Sequence, residues 1–189
     1  MNQLTDDILV VRCKVRDKDA FCTLVDRYKK EAYSFAFSYL KNMDDALNIS
    51  QDAFVRAWNA IDTFIEGRSF RPWLLSIVKN LSLNLIEKKK NLREISLDEA
   101  MTESGFDIPD NSQNSLHVLE ERETREQIWK AVFSLKDEFR EIIILKHFHD
   151  MSYREIAGIL DLPEGTVMSR LYYARIELKK ILETVMQRG

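Results

Sequence analysis

Glycine and proline are scarce, at five and three in 189 residues. Long stretches carry neither, which excludes a chain built from strands and tight turns and favours helix throughout. Cysteine is scarce too. Cys13 and Cys22 have no CxxC spacing and no histidine near them in sequence, so they read as reduced thiols and exclude a disulfide framework or a thiolate metal site. His147 and His149 stand two apart and point to different sides of a helix, which suits no single metal ion. No apolar run approaches the ~18 residues of a membrane span. The N-terminal MNQLTDDILVV is acidic and lacks a signal-peptide core, so a cytoplasmic protein without direct membrane insertion is expected. A phosphate-binding glycine loop and a G-x-S-x-G elbow are also missing. An enzyme is therefore not expected, nor a cofactor.

Excess basic charge is absent as well. The formal net charge is -3, which argues against tight unaided binding to DNA, because non-specific affinity comes from Lys and Arg displacing counterions. Its distribution is uneven. Residues 1–92 hold 15 Lys and Arg against 12 Asp and Glu, residues 93–118 one against six, and residues 119–189 12 against 13.

What is present is helical periodicity. Phe21, Leu24, Val25, Tyr28, Ala32, Phe35 and Tyr39 form one stripe. After a break at residues 41–44, a second helix takes up Ala46, Ile49, Ala53, Phe54, Ala57, Trp58 and Ile61, with Asp44 or Asp45 as its expected N-cap. A third begins near Ser69, tolerates Pro72 in its first turn and is expected to end at Lys88-Lys89-Lys90. Residues 93–118 lose the periodicity and gather Ser, Asn, Asp, Gly105 and Pro109, the composition of a flexible acidic linker. Helical patterning resumes over 119–186. The expected fold is all-α: two small helical domains, residues 1–92 and 119–189, joined by that linker.

Two segments carry chemistry. From Asp45 to Trp73, acids stand in front of five large rings: Phe54, Trp58, Phe64, Phe70 and Trp73, with Arg56, Arg68 and Arg71 among them. Rings beside guanidinium groups can stack on bases and hold phosphates, as single-stranded nucleic acid requires; rings at helical spacing also build cores. Phe54, Trp58 and Trp73 are read as core. Phe64, Arg68, Phe70 and Arg71 flank the break at Gly67 and are read as exposed contacts. In the second segment, Ser152-Tyr153-Arg154-Glu155 is a capping box opening a short helix. Asp161 occupies a turn where it tolerates the left-handed conformation. Pro163-Glu164-Gly165-Thr166 then starts a helix expected to bury Val167 and Leu171 and to expose Ser169, Arg170, Tyr172 or Tyr173, and Arg175. This reads as a helix-turn-helix; an ordinary helical hairpin shares much of the pattern.

With both segments in view, the chain resembles bacterial RNA polymerase sigma factors of the extracytoplasmic-function (ECF) group. The resemblance covers roughly residues 8–92 and 119–183. It rests on Asp45-Ala46-Leu47-Asn48-Ile49-Ser50-Gln51-Asp52-Ala53-Phe54, on Ser69-Phe70-Arg71-Pro72-Trp73-Leu74, and on Pro163-Glu164-Gly165-Thr166-Val167-Met168-Ser169-Arg170. It implies a promoter-specificity subunit. Asp45, Asn48, Gln51, Asp52, Phe54 and Arg56 would dock on core RNA polymerase. Phe64, Arg68, Ser69, Phe70 and Arg71, with Lys79, Asn80 and Asn84, would hold the single-stranded -10 element of promoter DNA. Glu164, Gly165, Thr166, Met168, Ser169, Arg170, Tyr173 and Arg175 would read the duplex -35 element. An anti-sigma factor is a further implied partner. Leu47 and Asn48 stand where the family usually has acids, Ser50 where an aliphatic residue is usual, and Met168 and Tyr173 where basic residues are frequent. The alternative is a dimeric helix-turn-helix regulator with a helical sensor domain, which predicts a palindromic site.

Overall fold

The computed structural model describes residues 4–95 and 127–186. Among these residues there are helices and turns and no strand. They fall into two compact units, the first built mainly from residues before the undescribed interval and the second mainly from residues after it. Most of the acidic stretch 93–118 lies outside the described residues.

The first unit holds α1 (Asp6–Lys14), α2 (Lys18–Leu40), α3 (Met43–Ala60), a 3-10 turn at Ile61–Thr63, and α4 (Phe70–Ile95). Asp17 caps α2 by accepting from the backbone N–H groups of Asp19 and Ala20 at 3.0 and 3.1 Å. Lys41 ends that helix in the left-handed region at φ 54°. The cap of α3 is Asn42, which accepts from Asp45 N at 2.9 Å. Asp44 and Asp45, expected as caps, sit instead in the first turn, where their charge suits the positive end of the dipole. α4 continues past Lys90 to Ile95, one turn beyond the end expected from its basic run. α2, α3 and α4 pack on one another, and α1 lies against α2. Ala32, Ala46, Ala53 and Ala57 are fully buried there, and their small side chains let the helices approach closely. Phe35, Leu24, Ile61, Leu74 and Leu75 fill the space between.

The second unit holds a helix described over residues 127–134 (α5), α6 (Asp137–Ile143), a π-helical turn at Ile144–Phe148, α7 (Tyr153–Leu160) and α8 (Glu164–Met186). Its core is built from Val132, Leu135, Ile142, Ile143, Ile144, Leu145, Met151, Ile156, Val167 and Leu171. Four consecutive buried residues are more than one stripe of a regular α-helix supplies. The wide turn accommodates them, and His149 N donates five residues back to Ile144 O at 3.1 Å. The capping box of α7 is complete: Glu155 N donates to Ser152 Oγ at 3.3 Å and Ser152 N donates to a Glu155 carboxylate oxygen at 2.9 Å. Asp161 is left-handed at φ 55°, as its place in the turn predicts. α8 spans 23 residues.

Candidate nucleic-acid and partner interfaces

Three exposed surfaces carry the residues singled out in the sequence. The first is the outer face of α3. Asn48, Gln51, Asp52 and Arg56 are exposed, while Ala46, Ile49, Ala53 and Ala57 face the core. Asp45 is half-buried and pairs with Lys89 on α4. Phe54 does not belong to this surface. It is buried, with its ring 6.5 Å from that of Phe21 in an edge-on arrangement, because position 54 falls on the same side of the helix as Ala46, Ile49 and Ala53. Three aliphatic side chains join the exposed face: Met43, Leu47 and Val55. Their four- and eight-residue spacing puts them on one stripe.

The second surface is the loop between the 3-10 turn and α4. Here the structure reverses the expected roles of the rings. Phe64 and Phe70 are 4% and 1% exposed. Each ring leaves its end of the loop inward, and the two meet at 6.2 Å between centroids. Trp73 lies 5.0 Å from Phe64 and 5.7 Å from Phe70, and Tyr28 of α2 lies 5.7 Å from Phe70. The rings form a wall under the loop, not a platform on it. Phe70, Leu74 and Val78 share one helical stripe, which is why the first residue of α4 is drawn into the core. Trp58 and Trp73, read as core, are only half-buried. Arg71 is also not free for DNA. Its Nε donates to both carboxylate oxygens of Glu31, at 2.8 and 3.0 Å, a charge-assisted fork across to α2.

What remains outward is the tip. Ile65, Glu66, Gly67, Arg68 and Ser69 are all exposed. Gly67 has φ +80°, where an L side chain would be strained, and Arg68 N donates to Ile65 O at 3.3 Å, closing the turn. On the following helix Asn80 and Asn84 are exposed and Lys79 is half-buried. The tip therefore offers Arg68, Ser69 and backbone groups on a base fixed by four rings.

The third surface is the N-terminal half of α8. Glu164, Gly165, Met168, Ser169, Tyr173 and Arg175 are exposed, and Thr166 is half-buried. Tyr172, left open in the sequence as an alternative to Tyr173, is exposed beside it, with the rings 5.4 Å apart and edge-on. The i, i+4 spacing from Met168 is the signal that identifies it. Arg170 leans the other way, half-buried and 3.7 Å from the Glu138 carboxylate on α6. Arg175 Nε donates to His147 Nε2 at 3.2 Å. Burial first, then the charges of Arg175 and Lys146, hold the His147 pKa below its ordinary value. His147 thus accepts as a neutral ring and fixes the direction of Arg175. Sequence reasoning did not find that contact, because 28 residues separate the partners.

Among the described residues there is no group of three metal-ligating side chains. None of their helices is long and apolar enough to cross a membrane.

Residues 24–92 match the family described as Sigma-70 region 2, and residues 125–178 match Sigma-70, region 4. The ECF RNA polymerase sigma factor SigW of Bacillus subtilis (strain 168) is 34% identical over 182 residues, covering 92% of this chain and 94% of that protein. The ECF RNA polymerase sigma-E factor of Escherichia coli (strain K12) is 32% identical over 190 residues, covering 98% of each. Among solved structures, the sigma factor RpoE in complex with the anti-sigma factor NepR from Bartonella quintana superposes with a TM-score of 0.73 at 25% identity, over 88% of this chain and 98% of that one. CnrH in complex with the cytosolic domain of CnrY superposes with a TM-score of 0.71 at 26% identity, over 95% and 97%.

Proposed function

The chain belongs to the extracytoplasmic-function group of RNA polymerase sigma factors, and on that premise we propose how its three exposed surfaces divide the work of a promoter-specificity subunit. The outer face of α3, with Asn48, Gln51, Asp52 and Arg56, docks on core RNA polymerase. The tip at residues 65–69, with Asn80 and Asn84, holds the melted -10 element. Gly165, Met168, Ser169, Tyr172, Tyr173 and Arg175 on α8 meet the duplex -35 element in the major groove. The division into residues 1–92, 93–118 and 119–189 follows this assignment. An anti-sigma factor is a further partner of the chain, and the cytoplasm is where it meets polymerase. Phosphodiester chemistry belongs to the core enzyme, and no catalytic step is assigned to this chain.

The observation that carries the reading is the loop tip. It combines a left-handed glycine, an exposed arginine and an exposed serine on an aromatic base that cannot follow a base as it moves. Flipping a base costs a few kcal/mol, and a fixed receiver loses little of that to its own ordering. With the rings turned inward, capture relies on Arg68, Ser69 and backbone groups, and stacking contributes less than the sequence suggests. The stripe of Met43, Leu47 and Val55 gives the docking face apolar area in place of the two acids missing at positions 47 and 48.

The test is runoff transcription with core polymerase and this protein on a genomic promoter library. Transcripts should start downstream of one shared pair of elements. Starts that share no -10 or -35 element would sink the proposal. A second prediction is weak binding of the free protein to promoter duplex, because its formal net charge is -3. Nanomolar specific binding without polymerase would count against it.

A further inference from the structure

α1 ends in a turn that reaches the loop. Arg16 takes the left-handed conformation, φ 64°, which a residue with a long side chain adopts only against a steric cost. Its N–H donates back to Cys13 O at 2.9 Å. That conformation sends the guanidinium across to the end of α3. Arg16 Nη1 donates to Trp58 O at 3.1 Å, Nη2 pairs with the Asp62 carboxylate, and the group lies 5.4 Å over the Trp58 ring. Two residues earlier, Lys14 Nζ pairs with the Glu66 carboxylate at 2.8 Å. The pairs join positions 46 and 52 residues apart. One bridge holds the entry to the loop and the other holds its tip.

The charges are as informative as the distances. Residues 61–69 contain two acids, Asp62 and Glu66, and one base, Arg68. Alone, such a loop repels phosphate. Each acid has a cation placed on it, Lys14 from the end of α1 and Arg16 from the turn after it, and Lys14 holds the Glu66 carboxyl below its ordinary range. A stabilising role explains this poorly, because exposed ion pairs contribute little to folding. The Asp62 pair is about half-exposed on both sides, and Glu66 is mostly exposed. Positioning explains it better, since recognition is sensitive to displacements near 1 Å.

We infer that Lys14 and Arg16 are positioning residues of the -10 reader, which fix the loop at residues 61–69 and cancel its acidic charge where the non-template strand must approach. The inference rests on the loop reading proposed above. It makes the α1–α2 turn, which carries no base contact, a determinant of how sharply the -10 sequence is discriminated.

The experiment uses the full chain with core polymerase, on a cognate promoter and on templates with one -10 base changed. The readout is the ratio of open complexes formed. One changed base ordinarily costs about five- to a hundredfold. Lys14→Glu, Glu66→Lys and Arg16→Ala should each lower that ratio by roughly tenfold and leave the dependence on the -35 element as it is. The double variant Lys14→Glu/Glu66→Lys re-forms the pair with reversed sign and should recover the ratio. Equal losses on every template, with the ratio intact, would mean a structural role only and overturn the inference. So would a double variant no better than its parents. Arg68→Ala separates this from the reading beneath it. If Arg68→Ala lowers the ratio and the α1 variants do not, the inference falls and the loop reading stands. If none of them changes the ratio, both fall.

Discussion

Replacing Phe70 with alanine decides whether its ring is a wall of the first unit or a contact for DNA. The side chain is 1% exposed and touches the rings of Tyr28, Phe64 and Trp73. A buried aromatic covers about 150–250 Å². At ~25 cal/mol per Å² this gives roughly 4–6 kcal/mol as an upper bound, and Phe→Ala changes in cores cost about 3–5 kcal/mol. A value near 4 kcal/mol is a large share of the ~5–15 kcal/mol a domain has. Native-state hydrogen exchange read by mass spectrometry localises the effect, with α7 and α8 as the internal reference. Amides of α2 and α4 in the Ala variant should exchange roughly a thousandfold faster, at ~1.4 kcal/mol per decade. Phe70→Leu keeps most of the volume and should cost about 1–1.5 kcal/mol, near tenfold. Suppose instead that Phe70→Ala leaves α2 and α4 as protected as before but abolishes binding of a single-stranded -10 oligonucleotide. The ring would then be a DNA contact, and the packing argument would be wrong.

Further outcomes follow from local features. Ser152→Ala removes one half of the α7 capping box and should destabilise the second unit by about 0.5–2 kcal/mol, seen as a shift in its exchange protection with the first unit unchanged. The Cys13 thiol is pushed up from 9.0 to about 11, first by burial and then by the Asp17 charge. At pH 9 iodoacetamide should alkylate exposed Cys22 and spare Cys13 until the chain is unfolded. Because the folded state holds that proton more tightly, the stability it contributes is complete below the unfolded value and lost as pH rises from about 9 to 11. His147 has the opposite sign: its pKa is depressed below 6.5, so its contribution is present above that value and lost on acidification. His147→Leu, which has no acceptor, should flatten this part of the pH dependence of the second unit's unfolding, and should lower -35 dependence at neutral pH by releasing Arg175.

Legibility in the sequence tracked how local each determinant is. The faces of α2, α3 and α4 repeat with the helical period, and most of their stripes are buried as read. α1 gave no such signal. Leu9, Val10 and Cys13 are buried, but Ile8, Val11 and Val15 are exposed, so its apolar residues surround the helix and no stripe stands out. Nearness to Gly67 points to exposure for Phe64 and Phe70, and the structure buries both. The periodicity of Phe70, Leu74 and Val78 was the better guide. Helix caps and turns are local, and the Ser152 capping box and the turn at Asp161 are legible; Asn42 is not, because two acids beside it fit a neighbouring role, and Asp17 carries no signal beyond its residue type. The partners of Arg71, Arg16 and Arg175 lie 28 to 46 residues away. Nothing in spacing or composition announces such pairs.

If α8 reads the -35 element as proposed, the π-helical turn at Ile144–Phe148 makes chain length, as well as residue identity, a determinant of promoter reading. Each residue of a helix turns the following side chains by about 100°. One residue removed from this turn would let the run close into regular α-helix at little backbone cost. It would also swing His147 away from Arg175 and leave that arginine without its acceptor. A one-residue deletion here would spare the fold and redirect a side chain on the proposed -35 face in a single event. On that reading, the promoter preference of this chain would change through the altered phase of a helix to which no DNA contact is assigned.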